Sequence, residues 1–468
     1  MNTSINTQSV DTRIGRLNFE HGVMPTPETV AHLFETMDFQ RACLAYLWSL
    51  PVVDFVQFRV LQARAAGAGP SDVTTYVGHA HVSPMLTPNV TTPYTLFYID
   101  IGHNGPTVVD VPAGAIAGSA MDFWQRALTD FGLTGPDQGQ GAKYLFVGPG
   151  QETPEMRDAI IVKSPTLTVF CFYRALDPDP EKAEALKRAV RIYPWSEREN
   201  PRPTRYIEPD ADKVKNMIPT PRGLEYWKCL AEVIDEEPVQ DRDRFFVGML
   251  RTLGIEKGRP FEPDNYQKKI LEEAAFVGEA MARANSYDKR FAGARYRDDA
   301  NWDYVVMADP AQDLENYSQF DERAAYFYEA VVLSKGMVTK TPGQGQAYLG
   351  SYRDKEGHAY DGGQHYRLRV PADPPMKQFW SLTLYEAENR NVIQNEQRIA
   401  ELSSRHNLVM NSDGSVDLYF GPSAPDGLES NWIPTVPGRV WFAYLRLYAP
   451  TEPYFDKSWP LPDIERVS

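Results

Sequence analysis

The segment Gly118–Gly150, GSAMDFWQRALTDFGLTGPDQGQGAKYLFVGPG, concentrates side chains able to do chemistry. It sets an acid, a tryptophan and an arginine at Asp122, Trp124 and Arg126, with further acids at Asp130 and Asp137. If MDFWQRAL is a strand, alternate side chains share a face, so Asp122, Trp124 and Arg126 point together. Asp122 and Arg126 then stand about 13 Å apart along the backbone at 3.3 Å per residue. A direct ion pair requires both side chains to lean inward. The competing arrangement has each contact a molecule held between them. There Asp122 or Asp130 is the acid/base, Arg126 clamps an anion or carbonyl through its planar fork, and Trp124 supplies a stacking wall. A structural charge network beside a packing tryptophan is the alternative reading of the same residues.

Other residues join this constellation. In TTPYTLFYID, Thr92, Tyr94, Leu96, Tyr98 and Asp100 share one strand face. The hydroxyls of Thr92, Tyr94 and Tyr98 would line the same cavity, Tyr94 or Tyr98 donating a proton; core tyrosines bonded to backbone carbonyls give the same pattern. The glycines of GPDQGQGAK (135–143) permit positive φ. A strand, YLFV, follows that loop where a phosphate loop needs a helix, which excludes a nucleotide-binding loop. It reads as a hairpin connection, a lid with Lys143 at its base being the alternative. In HAHV, His79 and His81 would share a strand face and reach one divalent metal, with Asp100, Asp122 or Asp130 as third ligand. Two polar residues near a loop is the plainer reading. No organic cofactor is expected.

In the tail, Phe442, Tyr444, Arg446 and Tyr448 share one face of VWFAYLRLY. With Tyr366, Trp380 and Trp432 they suit stacking on a ring or sugar plus one anionic contact. An arginine packed between aromatics in an interface fits equally. Asp361, Asp413 and Asp417 carry no EF-hand spacing for calcium. No G-x-S-x-G or H-E-x-x-H motif is present. Cys43, Cys171 and Cys229 lie in apolar segments and read as core.

These groups need elements to position them. Residues 1–22 read as a flexible arm. Helical periodicity runs from Thr26 until Pro51, and a second helix, DFVQFRVLQARAAG, ends at Gly67. From Val73 short apolar runs separated by Gly, Pro, Asn and Asp predict an antiparallel β domain. Amphipathic helices dominate from Gly223 to about Met337. From Thr341 the pattern is β again, with hairpin-like turns, and suggests a sandwich or jelly roll. The expected fold class is mainly β with helical segments (α+β). It comprises an N-terminal arm and helices (1–67), a β domain (68–180), a helical region (181–340) and a jelly-roll-like β-sandwich (341–468).

The bulk numbers bound the function. At 468 residues the chain exceeds one ordinary core. Its 37 Pro and 32 Gly imply many turns, and 25 Tyr with 9 Trp suit ring-binding surfaces or aromatic cores. A net charge of −15 opposes nucleic-acid and anionic-membrane partners. Three scattered cysteines form no disulfide framework or zinc spacing. No signal-peptide h-region and no run of 18 apolar residues is visible, so a cytoplasmic protein without a spanning helix is expected.

The motifs TPNVTTPYTLFYIDI, GPTVVDVPAG and MDFWQRALTDFGLTGPDQGQGAKYLFVGPG, with the later YPW, resemble the domain of unknown function 1254. The tail motifs YDGGQHYRLRVP, FWSLTLYE, NSDGSVDLYFGP and SNWIPTVPGRVWFAYLRLYAP, with SWPLPDIE, resemble its usual companion, the domain of unknown function 1214. Together they cover roughly residues 35–468. The resemblance implies a β-rich first domain, a helical middle and a jelly-roll-like C-terminal domain, and supplies no activity. Many members carry two asparagines and an aspartate after the first Thr-Pro; here the last two of these positions are Val90 and Thr91, so no role carries over to them.

The function expected is that of a small-molecule enzyme, a hydrolase or lyase working by general acid/base chemistry in a polar and aromatic pocket. Asp122, Arg126, Asp130, Tyr94 and Tyr98 would be catalytic; Trp124, Thr92, Lys143, Tyr366, Trp380, Trp432 and Arg446 would bind substrate. The alternative is a carbohydrate- or small-ligand-binding protein without catalysis. The partner expected is a small organic ligand or saccharide, with a homo-oligomer left open.

Overall fold

The computed structural model describes residues 7–82, 84–215 and 217–467. The fold is mixed α+β and forms two compact units, Met1–Leu50 with Pro221–Ala282 and Pro51–Thr220 with Arg283–Ser468.

In the first unit, β1 (Thr7–Thr12), β2 (Gly15–Glu20) and β3 (Met24–Pro25) build a three-stranded antiparallel sheet. The arm expected over residues 1–22 is therefore structured from Thr7 on; residues 1–6 lie outside the described residues. In helix Leu224–Glu236, Tyr226, Trp227, Leu230, Val233 and Ile234 are buried, the one-faced spacing its periodicity predicts. Tyr226 stacks on Tyr46 at 4.0 Å. The indole N–H groups of Trp48 and Trp227 donate to Asp243 Oδ1 (3.1 Å) and the Leu271 carbonyl (2.7 Å).

Helix α1 (Pro27–Ala66) runs through Pro51, where the sequence reading breaks it. An interior proline costs about 3 kcal/mol. Burial of Leu50, Val52, Val53 and Phe55 on either side, each 0% exposed, offsets that cost. By length and composition α1 is apolar enough to cross a membrane, contrary to the expectation that no helix is; 78% of its most apolar 18-residue window is buried within the protein. It stops at Gly67, whose φ of 60° closes the helix in the left-handed region.

The second unit begins with ten strands: β4 (Val73–Tyr76), β5 (Tyr94–Asp100), β6 (Thr107–Val111), β7 (Ile116–Asp122), β8 (Ala127–Gly132), β9 (Ala142–Val147), β10 (Ala159–Lys163), β11 (Thr168–Ala175), β12 (Arg191–Pro194) and β13 (Tyr206–Ile207). They make a six-stranded sheet, β13-β4-β5-β11-β7-β8, and a four-stranded sheet, β10-β9-β6-β12. Two pairs, β9/β10 and β4/β13, are parallel, so the domain is not purely antiparallel. Phe97, Ile99 and Cys171 of the larger sheet pack with Val109, Tyr144 and Phe146 of the smaller. The alternate residues Leu96, Tyr98, Phe170 and Phe172 therefore face outward from that core. Phe55 of α1 covers part of this outer face, 4.6 Å from the Phe170 ring.

Ten further strands follow: β14 (Asp303–Tyr304), β15 (Gln346–Ser351), β16 (Tyr360–Asp361), β17 (His365–Val370), β18 (Trp380–Glu386), β19 (Glu401–Ser403), β20 (Val416–Gly421), β21 (Trp432–Pro434), β22 (Val440–Tyr448) and β23 (Glu465–Val467). They form the sheets β14-β15-β22-β18-β19, with β16 on β22, and β21-β20-β17-β23. Trp441 of the first meets Tyr366 and Phe420 of the second at 5.4 and 5.5 Å. Two sheets sharing inner-face rings make a β-sandwich.

Candidate functional site

MDFWQRAL is a hairpin, not one strand. β7 ends at Asp122, Phe123–Arg126 turn with Gln125 at φ 61°, and β8 begins at Ala127. The cause is local: Asp122 Oδ1 accepts from the backbone N–H of Trp124 and of Arg126, each 2.9 Å. An aspartate that ties up the amides after it nucleates a turn. Arg126 Nη1 reaches back to Asp122 Oδ2 at 3.9 Å, and its guanidinium lies 5.8 Å from the Trp124 ring. All three residues are buried and none lines the cavity of about 710 Å³ described below; the trio braces a turn. Gln125, 0% exposed, secures the turn from inside: Nε2 donates to the Pro51 carbonyl (2.6 Å) and Oε1 accepts from Val332 N–H (2.7 Å).

Several other expected site residues prove structural. Tyr98 is buried on the outer face under α1 and donates to the Phe55 carbonyl (3.1 Å). Asp137 Oδ1 accepts from Gly132 N–H (2.8 Å) and the Tyr144 hydroxyl (2.5 Å). The loop 135–143 joins β8 to β9, which lie in different sheets, so it is a crossover and not a hairpin connection; Lys143 is exposed at its end and does not line the cavity described next. His79 and His81 sit on a short helix, α2 (Gly78–Val82), where i and i+2 point about 160° apart, and cannot share a metal as a strand would allow. His79 Nε2 instead meets the Ile393 carbonyl at 3.0 Å, and burial lowers its pKa. Among the described residues no group of three or more His, Cys, Asp or Glu is placed to hold a metal ion. In the C-terminal sandwich Tyr366 and Trp380 are buried, and Trp432, half-buried, donates its indole N–H to the Gly421 carbonyl (2.9 Å). None of the three lines the cavity of about 710 Å³ described next.

A cavity of about 710 Å³ does exist in the second unit. Its first wall is the outer face of the six-stranded sheet beyond α1: Tyr94 and Leu96 on β5, Phe172 and Arg174 on β11, Ser119 on β7 and Asp130 on β8. Its second wall is Tyr348 on β15 with Tyr444, Arg446 and Tyr448 on β22. The register pairs Tyr348 with Arg446 on the second wall, and Phe172 with Leu96 and Ser119 on the first, so each set shares one sheet face. Of the expected residues, Tyr94, Thr92, Asp130 and Arg446 meet here.

The segment before β5 is locked by Asn89. Its backbone N–H and Nδ2 donate to the Tyr94 hydroxyl (2.9 and 2.6 Å), while Oδ1 accepts from Thr92 N–H and Oγ1 (2.8 Å each). Thr91 and Val90 turn instead to the Glu401 carboxylate, Thr91 through its hydroxyl and Val90 through its N–H (3.3 Å). Glu401 also accepts from Thr383 (2.6 Å), whose hydroxyl accepts in turn from Arg446 Nη1 (2.9 Å). Arg446 is 3% exposed and lies 5.4–5.7 Å from the rings of Tyr444, Tyr348 and Tyr385. Burial alone would lower its pKa; the surrounding phenols, Tyr385 foremost, outweigh that and raise it. Burial pushes Asp130 above the usual carboxylate range, against the Ser119 hydroxyl and the charge of Lys335. A half-buried acid of raised pKa at a cavity wall holds its proton more readily than an exposed carboxylate and can serve in proton exchange.

Sequence reasoning missed Arg174, Asn89 and Tyr348. Arg174 had a signal: in TVFCFYRA it continues the face of Phe170 and Phe172, a cation on an otherwise apolar stripe.

The model for a protein of unknown function (DUF1254) matches residues 71–194, and that for a second (DUF1214) matches residues 345–452. The chain carries a DUF1254 domain followed by a DUF1214 domain. Tyr94, Asp130 and Arg174 belong to the DUF1254 segment, and Tyr348, Arg446 and Tyr448 to DUF1214, so both domains furnish the cavity. Among solved structures, the VPA0106 protein from Vibrio parahaemolyticus is similar at TM-score 0.55 and 17% identity, covering 92% of this chain and 100% of that one. An uncharacterized protein from Burkholderia cenocepacia matches at TM-score 0.41 and 12% identity, covering 93% and 96%. The first likeness is one of fold. No curated protein matches the chain.

Proposed function

We propose that the cavity between the DUF1254 and DUF1214 segments is the active site of a small-molecule enzyme, a hydrolase or lyase working by general acid/base chemistry. The observation that carries this reading is Asp130: a carboxyl group at the wall of a roomy polar and aromatic cavity, with its pKa raised by burial. Such a group takes a proton from water or from a carbon acid and returns it to a leaving group, the exchange that both reaction classes need. The volume, about 710 Å³, falls in the range of sites for small organic molecules. Of the two acids expected, Asp122 or Asp130, this reading keeps Asp130, and it moves the cation from Arg126 to Arg446.

The test is turnover of a panel of carboxylic esters, amides and β-substituted acids by the purified chain and by Asp130→Asn. Turnover of at least one compound, reduced about a hundredfold or more in D130N with melting unchanged, is expected. Equal turnover by D130N removes Asp130 from the chemistry. Binding without turnover across the panel favours the second reading, a ligand-binding protein. That reading draws on the fixed hydrogen bonds of Tyr94 and Arg446, which make a rigid receptor surface.

A further inference from the structure

The cavity holds positive charge that its own acids do not neutralise. Arg446, 3% exposed, donates Nη1 to the Thr383 hydroxyl (2.9 Å) and Nη2 to the Thr87 carbonyl (2.8 Å), both neutral partners. Arg174 lies over the Tyr94 ring at 4.9 Å, and its buried Nε has no hydrogen-bond acceptor among the described residues. Neither guanidinium has a carboxylate of the described residues at ion-pairing distance, although Asp130 and Asp177 line the same cavity. Buried cations are ordinarily paired, because desolvation is costly.

A second observation is independent of charge. The Tyr448 hydroxyl is buried, the residue being 3% exposed, and it too has no hydrogen-bond partner among the described residues. Its ring is fixed by stacking on Phe379 at 3.9 Å. Tyr448 is two residues from Arg446 on β22 and so shares its face toward the cavity. Arg174 stands close enough to act electrostatically on the Tyr448 phenol. An unmatched cation and an unmatched hydroxyl donor thus open on one space.

Building on the reading of this cavity as a small-molecule site, we infer that its ligand is an organic acid. The carboxylate accepts from Arg174 and Tyr448 under the field of Arg446, and the apolar body lies against Phe172, Leu96 and Phe58. A carboxylate fits better than a phosphate. The two unmatched donor groups, Arg174 and Tyr448, match its two oxygens, whereas a phosphate dianion asks for more than two.

The experiment measures binding of 4-phenylbutanoate and octanoate, of their neutral amides, and of inorganic phosphate by calorimetry. The full chain is compared with Arg174→Met, Arg174→Lys and Tyr448→Phe, each checked for native melting. The acids are expected to bind at least about tenfold more tightly than the amides and than phosphate. R174M should lose about tenfold or more for the acids and little for the amides, R174K should fall between, and Y448F should lose about threefold. Acids and amides binding alike, with R174M unchanged, overturns the carboxylate seat and leaves the cavity as a small-molecule site. Phosphate binding more tightly than the acids overturns the carboxylate class. Silence of acids and amides together overturns both this inference and the reading on which it rests.

Discussion

Arg446 donates Nη2 to the carbonyl of Thr87, 359 residues earlier in the chain, at 2.8 Å. The bond ties the central strand of the C-terminal sandwich to the segment that leads into β5. Thr87 answers by donating its own hydroxyl to the Glu329 carbonyl (2.9 Å). Arg446→Met keeps the stem and leaves the Thr87 carbonyl without this donor. The expected cost is about 3 kcal/mol, the range for a buried bond to a charged group. Denaturant unfolding followed by far-UV circular dichroism checks it, and a loss under 1 kcal/mol would show the bond to be incidental.

Asp122 and Asp130 should separate stability from function. Asp122→Ala removes the acceptor for Trp124 N–H and Arg126 N–H and should lower stability by about 2–3 kcal/mol. Ligand affinity, measured where the variant is still folded, should hold, since Asp122 does not line the cavity. Asp130→Asn should do the reverse. Matched unfolding and binding curves for the two variants decide this.

His79 predicts a pH response. Burial holds its imidazole below the usual value of 6.5, so at lower pH the unfolded chain takes up a proton that the folded chain resists. The stability it contributes is full above pH 6.5 and declines as the pH falls from there through the depressed folded value. His79→Gln, which can still donate to the Ile393 carbonyl, should flatten that part of the melting-temperature profile. An unchanged profile between pH 7 and 5 would count against the assignment.

Lys289 and Glu329 form a buried pair at 3.5 Å with side chains 1% and 0% exposed. Glu329 also accepts from the hydroxyls of Tyr352 (2.8 Å) and Tyr444 (2.5 Å), and Tyr444 reaches the cavity wall. Lys289→Met strands the carboxylate and should cost about 3–5 kcal/mol; adding Glu329→Gln should recover most of that. Chemical unfolding of both variants tests the coupling, and additive losses would refute it.

Much of the local design was legible in the chain. The alternation in VWFAYLRLY placed Tyr444, Arg446 and Tyr448 on one face, and the structure gives them one cavity wall. TTPYTLFYID likewise set Tyr94 and Leu96 together. The same rule failed for MDFWQRAL because Asp122 captures the following amides and turns the chain. Five residues cannot reveal by periodicity whether they continue a strand or reverse it. It failed again for HAHV, where a single helical turn replaces two pleats of a strand.

The sequence by itself determined the α+β class and the faces of the long strands, since these rest on residue alternation and turn chemistry within a few positions. Only the tertiary structure decided which polar face meets a cavity and which is covered. Tyr94 and Tyr98 share one face of β5, yet Phe55 of α1 lies over Tyr98 and leaves Tyr94 open. That choice depends on packing between elements distant in the chain, and local sequence carries no record of it.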